Sequence, residues 1–562
     1  MSPNSRGCQA NLTLDLSIQA IGFVVGHLIS NAKRLIADIA CGRLCACLLS
    51  AVLATISIST PALAQQQPPP KAPSSERFVL TGLTIDGVSA YPLKQLAPLY
   101  SYYLAREVAM EDLVKIAQAI TDKYRADGYF LSRAVVPPQV PGGHARIRVY
   151  EGYIDQVEVT GDAAPAVEAL LDGVSGRRPL RLADLERRLT LARDLPGVRP
   201  SSRIEPNLDD PARHKLVVVA GLKRWTGSIY IDNRGARTLG PVQANVRLAR
   251  NGVVTAGDQL ALSVLTVPND PGEYAQADLA YGAPLAGETR LRVGASASRS
   301  RQGSAPQNNT VGTESQAVSL RLAHPIVRDR KTAVWAAVAL DGRHVEQSYR
   351  NGGAYSDDLR VVRASVQADS GTSRSSVSGY AQVSRGLQVL GATRTPSRNH
   401  SRFDADGGFW KVNVGASHYR DLGKRMGVYV SADAQWSPNH LLLSEEFAPG
   451  GLPYGRAYNY AEISGDSGAG AMAELRYGFA PKKAGPVSFV QAYAFVDGAK
   501  VWNTASAYSL RSAAFSSAGG GLRVTVNNKI TARVEAAKPL TRTPYETGDK
   551  DWRVFAAVSA SF

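Results

Sequence analysis

Between Trp225 and Phe562 apolar and polar residues alternate in segment after segment, and no long helical repeat survives. Sixteen candidate strands can be marked, the first near 225–232 and the last at 552–562. In 487–497, Val490, Ala492, Ala494 and Val496 share one face, while Gln491, Tyr493 and Asp497 lie on the other. In 472–478, Leu475 and Tyr477 oppose Glu474 and Arg476, and in 530–536 Ile530, Ala532, Val534 and Ala536 oppose Thr531, Arg533 and Glu535. Successive side chains of a strand point to opposite faces, so this period of two puts charge on one side and hydrocarbon on the other. A parallel sheet covered on both faces would read as continuous apolar runs instead. A soluble sandwich accommodates the alternation, and so does a closed barrel with apolar residues toward lipid and polar residues toward a lumen. A single sheet of this size must lose its edges, which closure in a membrane achieves, and the even strand count fits closure. In the last segment, WRVFAAVSASF, the residues Trp552, Val554, Ala556, Val558, Ala560 and Phe562 share one face. Phe562 is thus an aromatic residue closing an alternating strand at the end of the chain.

The period changes near residue 222. Upstream, FVLTGLTIDGV (78–88) reads as a strand. Leu113, Ile116, Ala117, Ile120 and Tyr124 then recur at helical spacing, with Gly128 as a stop. Strands near 133–138 and 144–150 complete the unit. The pattern repeats with a strand at 153–161, a helical stretch carrying Leu182, Leu185, Leu189 and Leu191, and strands near 201–206 and 214–220. These are two small α+β modules in tandem, 78–152 and 153–221. Neither carries a phosphate-binding loop or a metal cluster, and such modules bind chains or position partners.

Upstream of 78 the chain changes character again. Lys33, Arg34 and Arg43 precede the apolar run 44–58, and Ala62-Leu63-Ala64 supplies a small-residue cleavage site. Residues 1–64 therefore read as an export leader, and 65–77 as a Gln/Pro-rich linker. All four cysteines fall within that leader, at 8, 41, 45 and 47, so the mature chain is expected to have neither disulfides nor a thiol nucleophile. The net charge of +16 comes from basic residues spread along the chain without a dense cluster, which argues against nucleic-acid binding. The eight histidines form no H-E-x-x-H and no metal-ligand spacing, and G-x-S-x-G is absent. No enzymatic activity, metal or cofactor is expected.

Several segments then carry a specific resemblance over residues 77–562. DGYFLSRAVVPPQ (127–139), with Gly128, Tyr129, Pro138 and Gln139, and LERRLTLARDLPGV (185–198), with Leu195, Pro196 and Gly197, resemble signatures of the two-partner secretion (type Vb) outer-membrane transporters, the relatives of the haemolysin-secretion and filamentous-haemagglutinin transporters. EGYIDQVEVTG (151–161) resembles the junction between that family's two periplasmic POTRA domains. GRAYNYAEISGDSG (455–468) resembles its long loop between strands 11 and 12, whose V-R-G-Y/F tetrad is met by Arg456 and Tyr458, with Gly455 ahead and Ala457 in the Gly position. Phe495 and Asp497 match its F-x-D-x-G motif, with Ala499 at the final Gly. The terminal Phe562 resembles the assembly signal of bacterial outer-membrane barrels.

The resemblance implies two periplasmic α+β POTRA domains, 78–152 and 153–221, then a 16-stranded antiparallel transmembrane β-barrel at 222–562. The loop at 438–470 would fold into the lumen, where Arg456 would meet Asp497, with Glu474 as the fallback partner. It implies an outer-membrane pore that takes up an unfolded partner exoprotein of the haemolysin or adhesin type and secretes it. It further implies contact with outer-membrane lipid, and with periplasmic chaperones and the barrel-assembly machinery during biogenesis. Some family members carry an N-terminal plug helix, for which 65–77 is too short, so either this chain lacks the plug, which is the expected form, or cleavage falls elsewhere. A barrel-assembly protein and a passive porin are the competing readings. The pair of modules and the 185–198 stretch favour secretion over both.

Overall fold

The structure, a computed structural model, describes residues 77–140, 142–301, 310–349, 353–395, 399–481, 485–504 and 511–562. The expected leader, nearly all of the linker, and the question of a plug lie outside the described residues.

The first module holds β1 (Phe78–Val79), β2 (Gly82–Asp86), β3 (Glu107–Val108), α1 (Met110–Ala126), β4 (Arg133–Val135) and β5 (His144–Tyr150). The expected strand 78–88 is split. The chain turns at Leu80, which is fully buried, so β1 pairs with β3 while β2 joins the main sheet. That sheet has the order β2-β5-β4, with β2 parallel and β4 antiparallel to β5. Helix α1 buries Leu113, Ile116, Ala117, Ile120 and Tyr124, the stripe its periodicity predicts. Its Asp112 carboxylate accepts the Ala109 N–H at 3.0 Å, and Gly128, at φ +91°, ends it.

The second module repeats the plan with β6 (Tyr153–Thr160), α2 (Ala164–Leu171), α3 (Leu182–Arg193), β7 (Val198–Pro206) and β8 (Arg213–Leu222). Its sheet order is β6-β8-β7, again parallel then antiparallel about the central strand. Helix α2 went unpredicted. At eight residues, with a proline in its first turn, it is too short to declare a period, and it is held by burying Val167, Leu170 and Leu171 on the sheet.

The remaining sixteen strands close into one antiparallel barrel, from β9 (Trp225–Asp232) to β24 (Arg553–Ser561), with β24 pairing back onto β9. All sixteen predicted segments are strands. The apolar face points outward: Leu475, Val496, Val534, Val554 and Val558 are 46 to 62 % exposed. Their inward neighbours Glu474, Asp497 and Glu535 are at most 3 % exposed. So large an outward apolar surface on a closed sheet is what hydrocarbon, not water, accommodates. Neighbouring strands share registers of eight to seventeen residue pairs along most of the wall, as between β9 and β10 (Gln243–Asn251). The closing seam has five, Ala557–Ser561 against Ser228–Asp232.

Candidate functional site

The lumenal face of β20 (Ser467–Phe479), β21 (Val487–Trp502), β22 (Ser512–Val526) and β23 (Ile530–Pro539) carries three buried carboxylates. The loop between β19 (Met426–Trp436) and β20 places Arg456 among them. Arg456 Nη1 donates to Glu474 Oε2 at 2.8 Å and to Glu535 Oε2 at 3.2 Å. Its Nε stands 3.8 Å from Asp497 without a hydrogen bond, and the guanidinium lies 4.2 Å from the Phe495 ring centroid. Asp497 accepts the backbone N–H groups of Gly455 at 3.0 Å and Arg456 at 3.3 Å, and the Ser517 hydroxyl. Arg456 and Asp497 thus meet as an ion pair, as expected, but without a side-chain hydrogen bond. Asp497 holds the loop's backbone, and the fallback Glu474 takes the guanidinium.

No carboxylate depends on Arg456 alone. Glu474 also accepts from Arg523 at 2.8 and 3.0 Å and from Arg476 at 2.6 Å. Glu535 accepts from Tyr493 at 2.7 Å and from Arg234, whose other nitrogen donates to the Arg456 carbonyl at 3.0 Å. Charge-assisted bonds of this kind are the strong ones, and sharing leaves few lone pairs unused.

Backbone conformation explains the altered tetrad. Gly455 has φ +100°, and a Cβ there would stand 2.6 Å from the Phe515 ring. Ala457 is not among the positive-φ residues, so a side chain fits, and it is fully buried. The conformation that needs glycine thus lies before the arginine instead of after it. Tyr458 stacks on Phe515 at 4.5 Å and donates to the carbonyls of Arg542 at 2.9 Å and Ser516 at 3.1 Å. At the matched F-x-D-x-G position, Ala499 is tucked against the wall at 7 % exposure, opposite Phe515 in register.

The signature residues of the modules sit at junctions. The Leu182 N–H donates to the Gly128 carbonyl at 2.8 Å, and the Tyr129 hydroxyl accepts from Arg181 at 3.0 and 3.1 Å, so this pair ties the first module to the second. Gln139 exchanges two bonds with the backbone of Arg146, at 2.8 and 2.9 Å, extending the edge of β5, while Pro138 is exposed beside it. Glu151 accepts the Ser89 and Ala90 N–H groups at 2.7 and 2.8 Å and the Tyr124 hydroxyl at 2.6 Å. Burial alone would raise its carboxyl, but the Ser89 and Tyr124 hydroxyls and the two N–H groups outweigh that and hold it below the usual range.

Leu195, Pro196 and Gly197 lie where the second module meets the barrel. Leu195 is in the module core. Gly197, at φ +73°, presses on the barrel, where a Cβ would come within 2.5 Å of Asn251 and of the Lys223 carbonyl. Beside them Asp194 is gripped by Arg328 at 2.6 and 2.8 Å, and its carbonyl accepts from Arg290 at 3.0 Å. Arg187 pairs with Glu288 in the turn after β12 (Tyr274–Ala286).

Phe562 follows the last strand. Its N–H and carbonyl exchange bonds with Gly227 at 3.0 and 3.1 Å, and its ring fills the space where a Gly227 side chain would stand, 2.3 Å from an ideal Cβ.

Sequence reasoning did not nominate Glu535, Arg234, Asp194 or Glu445. The period-two pattern had already placed Glu535 on the lumenal face, which was the available signal. Arg234 and Glu445 come from loops whose paths no periodicity encodes.

The chain matches the family model described as haemolysin secretion/activation protein ShlB/FhaC/HecB over residues 216–524, and the ShlB-type POTRA domain over 78–152. It is 26 % identical over 428 residues to the outer membrane transporter CdiB of Escherichia coli, covering 71 % of this chain and 69 % of that protein. It is 22 % identical over 460 residues to the heme/hemopexin transporter protein HuxB of Haemophilus influenzae (strain 86-028NP), covering 79 % and 80 %. The solved structure of CdiB from Escherichia coli has the same fold, with a TM-score of 0.69 at 22 % identity over the whole of both chains.

Proposed function

This chain belongs to the haemolysin secretion/activation family ShlB/FhaC/HecB, and we propose that its loop 437–466 is the element that closes the pore and must shift for its partner to pass. The protein is an outer-membrane transporter of the two-partner secretion class, with its POTRA domains in the periplasm, and it secretes a cognate exoprotein. The observation that carries the loop reading is Arg456, 3 % exposed, in hydrogen-bond contact with carboxylates of two different barrel strands.

Each step uses chemistry already described. An unfolded exoprotein segment adds to an outer strand of a POTRA sheet, β2 or β4 in the first domain and β6 or β7 in the second. Asp194 and Arg187 hold the second POTRA domain against the barrel, so the captured segment is delivered at the lumen mouth. Shared carboxylates let Arg456 leave without stranding Glu474 or Glu535, because Glu474 keeps Arg523 and Glu535 keeps Arg234. The emerging chain folds outside, which biases direction. The outward apolar belt contacts outer-membrane lipid, and insertion draws on periplasmic chaperones and the barrel-assembly machinery. Deleting 78–221 tests the division of labour. The barrel is expected to insert and secretion of the partner to cease, whereas full-rate secretion by the truncated chain would refute the delivery role.

A further inference from the structure

The loop 437–466 touches the barrel wall at a second buried charge cluster, of opposite sign to the first. Glu445 is 4 % exposed and closes a single 3-10 turn, Leu443–Glu445. Its carboxylate accepts from Lys411 Nζ at 2.6 Å, on β18 (Trp410–Gly423), and from Arg363 at 2.7 and 3.2 Å, on β16 (Ala354–Gly371). Its carbonyl accepts from Lys411 Nζ and from Gln435 Nε2, both at 3.0 Å. The next residue turns the other way: Glu446 accepts from Arg402 of the neighbouring loop at 2.9 Å, and Arg402 also grips Asp466, at the far end of the same loop, at 2.6 Å.

We propose that Glu445 is a second, independent anchor of this loop, a positioning residue that must disengage from Lys411 and Arg363 before the pore opens. The proposal rests on the loop being the closing element. The two anchors engage separate strands: Arg456 engages β20 and β23, and Glu445 engages β16 and β18. Opposite charge disfavours exchange, since Arg456 would face Lys411 and Arg363, and Glu445 would face Glu474 and Glu535. Register along the wall is therefore fixed by charge as well as by shape. Glu445 also borders a lumenal cavity of about 370 Å³ lined by Asp278, Arg292, Asp341, Arg343 and Arg363. Lys411 is 7 % exposed, so loss of Glu445 leaves a buried ammonium facing Arg363 without its carboxylate partner, a strongly destabilising change.

The test uses the full chain inserted in membranes, with one reporter cysteine per anchor. All four native cysteines lie before residue 48. Ser444→Cys reports the Glu445 end, because the Ser444 hydroxyl is buried with no hydrogen-bond partner among the described residues. The fully buried Ala457→Cys reports the Arg456 end. Glu445→Gln should raise maleimide labelling of the first reporter by about tenfold or more and leave the second protected. Arg456→Ala should do the reverse. The exchange Glu445→Lys with Lys411→Glu should recover much of the protection that either single change loses. Heat-modifiable gel mobility verifies that each barrel is formed, and Lys411→Gln serves if Glu445→Gln does not insert. Unchanged labelling of the first reporter, or both reporters rising together under either single change, would overturn the second anchor. Labelling that rises while secretion of the partner stays at the parent rate would retain the anchor but overturn its part in opening, and with it the closing role of the loop.

Discussion

Replacing Arg456 by alanine removes two charge-assisted hydrogen bonds, at 2.8 and 3.2 Å, and the contact with the Phe495 ring. A hydrogen bond to a charged group contributes about 1.5–3 kcal/mol net. Part of this is returned, since the free loop no longer desolvates a guanidinium, and Glu474 and Glu535 keep Arg523, Arg476 and Arg234. We expect a net loss of about 3 kcal/mol of loop docking, roughly 150-fold in the equilibrium between docked and released loop. The assay is secretion of the partner per surface-inserted barrel, beside maleimide protection of a cysteine at Ala457.

Double-mutant cycles then separate the three carboxylates. Arg456 with Glu474 should show the largest coupling, about 1.5–3 kcal/mol, because that contact is the shorter and better formed. Arg456 with Glu535 should couple less, since that contact is longer, at 3.2 Å. Arg456 with Asp497 should couple least of the three, because that ion pair is 3.8 Å long with no side-chain hydrogen bond and Asp497 also holds backbone N–H groups that survive the substitution. Asp497→Ala alone should nonetheless be severe, leaving the N–H groups of Gly455 and Arg456 buried and unmet. Strong coupling to Asp497 with none to Glu474 would refute this ranking of the partners.

Three other outcomes are expected. Gly227→Leu should block barrel closure or slow assembly, because the Phe562 ring already occupies that space, and Phe562→Ala should partly relieve it; heat-modifiable mobility over time reads both. Asp194→Ala should leave insertion intact but loosen the second POTRA domain, seen as faster proteolysis between the domain and the barrel, because Arg328 loses a carboxylate contact at 2.6 and 2.8 Å. Glu151 titrates below the usual carboxylate range in the fold, so its contribution is complete above about pH 4.3 and is lost as the pH falls through its lowered value. Glu151→Gln should flatten the acid end of the first domain's stability profile, measured by proteolysis against pH.

The barrel was legible because a membrane imposes its rule on every strand. Each residue of β20 or β23 must choose lipid or lumen, so Leu475 and Val534 declare one face and Glu474 and Glu535 the other. The helix α1 declared itself through four turns of apolar spacing, whereas α2 is two turns long and is held by tertiary contacts. Partner choice within the site was less legible. Parity places Asp497, Glu474 and Glu535 in the lumen alike, and which of them meets a guanidinium depends on where the loop backbone runs. That path is set by Gly455 at φ +100° and by Tyr458 on Phe515, contacts between residues far apart in sequence.

A loop held by one strong buried pair would be hard to release, since breaking such a pair by removing one partner costs about 3–5 kcal/mol. Here the wall carboxylates and cations are already cross-linked among themselves: Glu474 with Arg523 and Arg476, and Arg363 with Asp341. The loop's Arg456 adds to networks that are already satisfied, whereas Glu445 supplies the carboxylate that Lys411 pairs with. Departure of Arg456 therefore exposes groups that still have partners, while departure of Glu445 leaves Lys411 without its carboxylate. On the proposed closing role of the loop, the closed state gains specificity from having two anchors of opposite sign. On that proposal a passing chain can displace the loop one contact at a time.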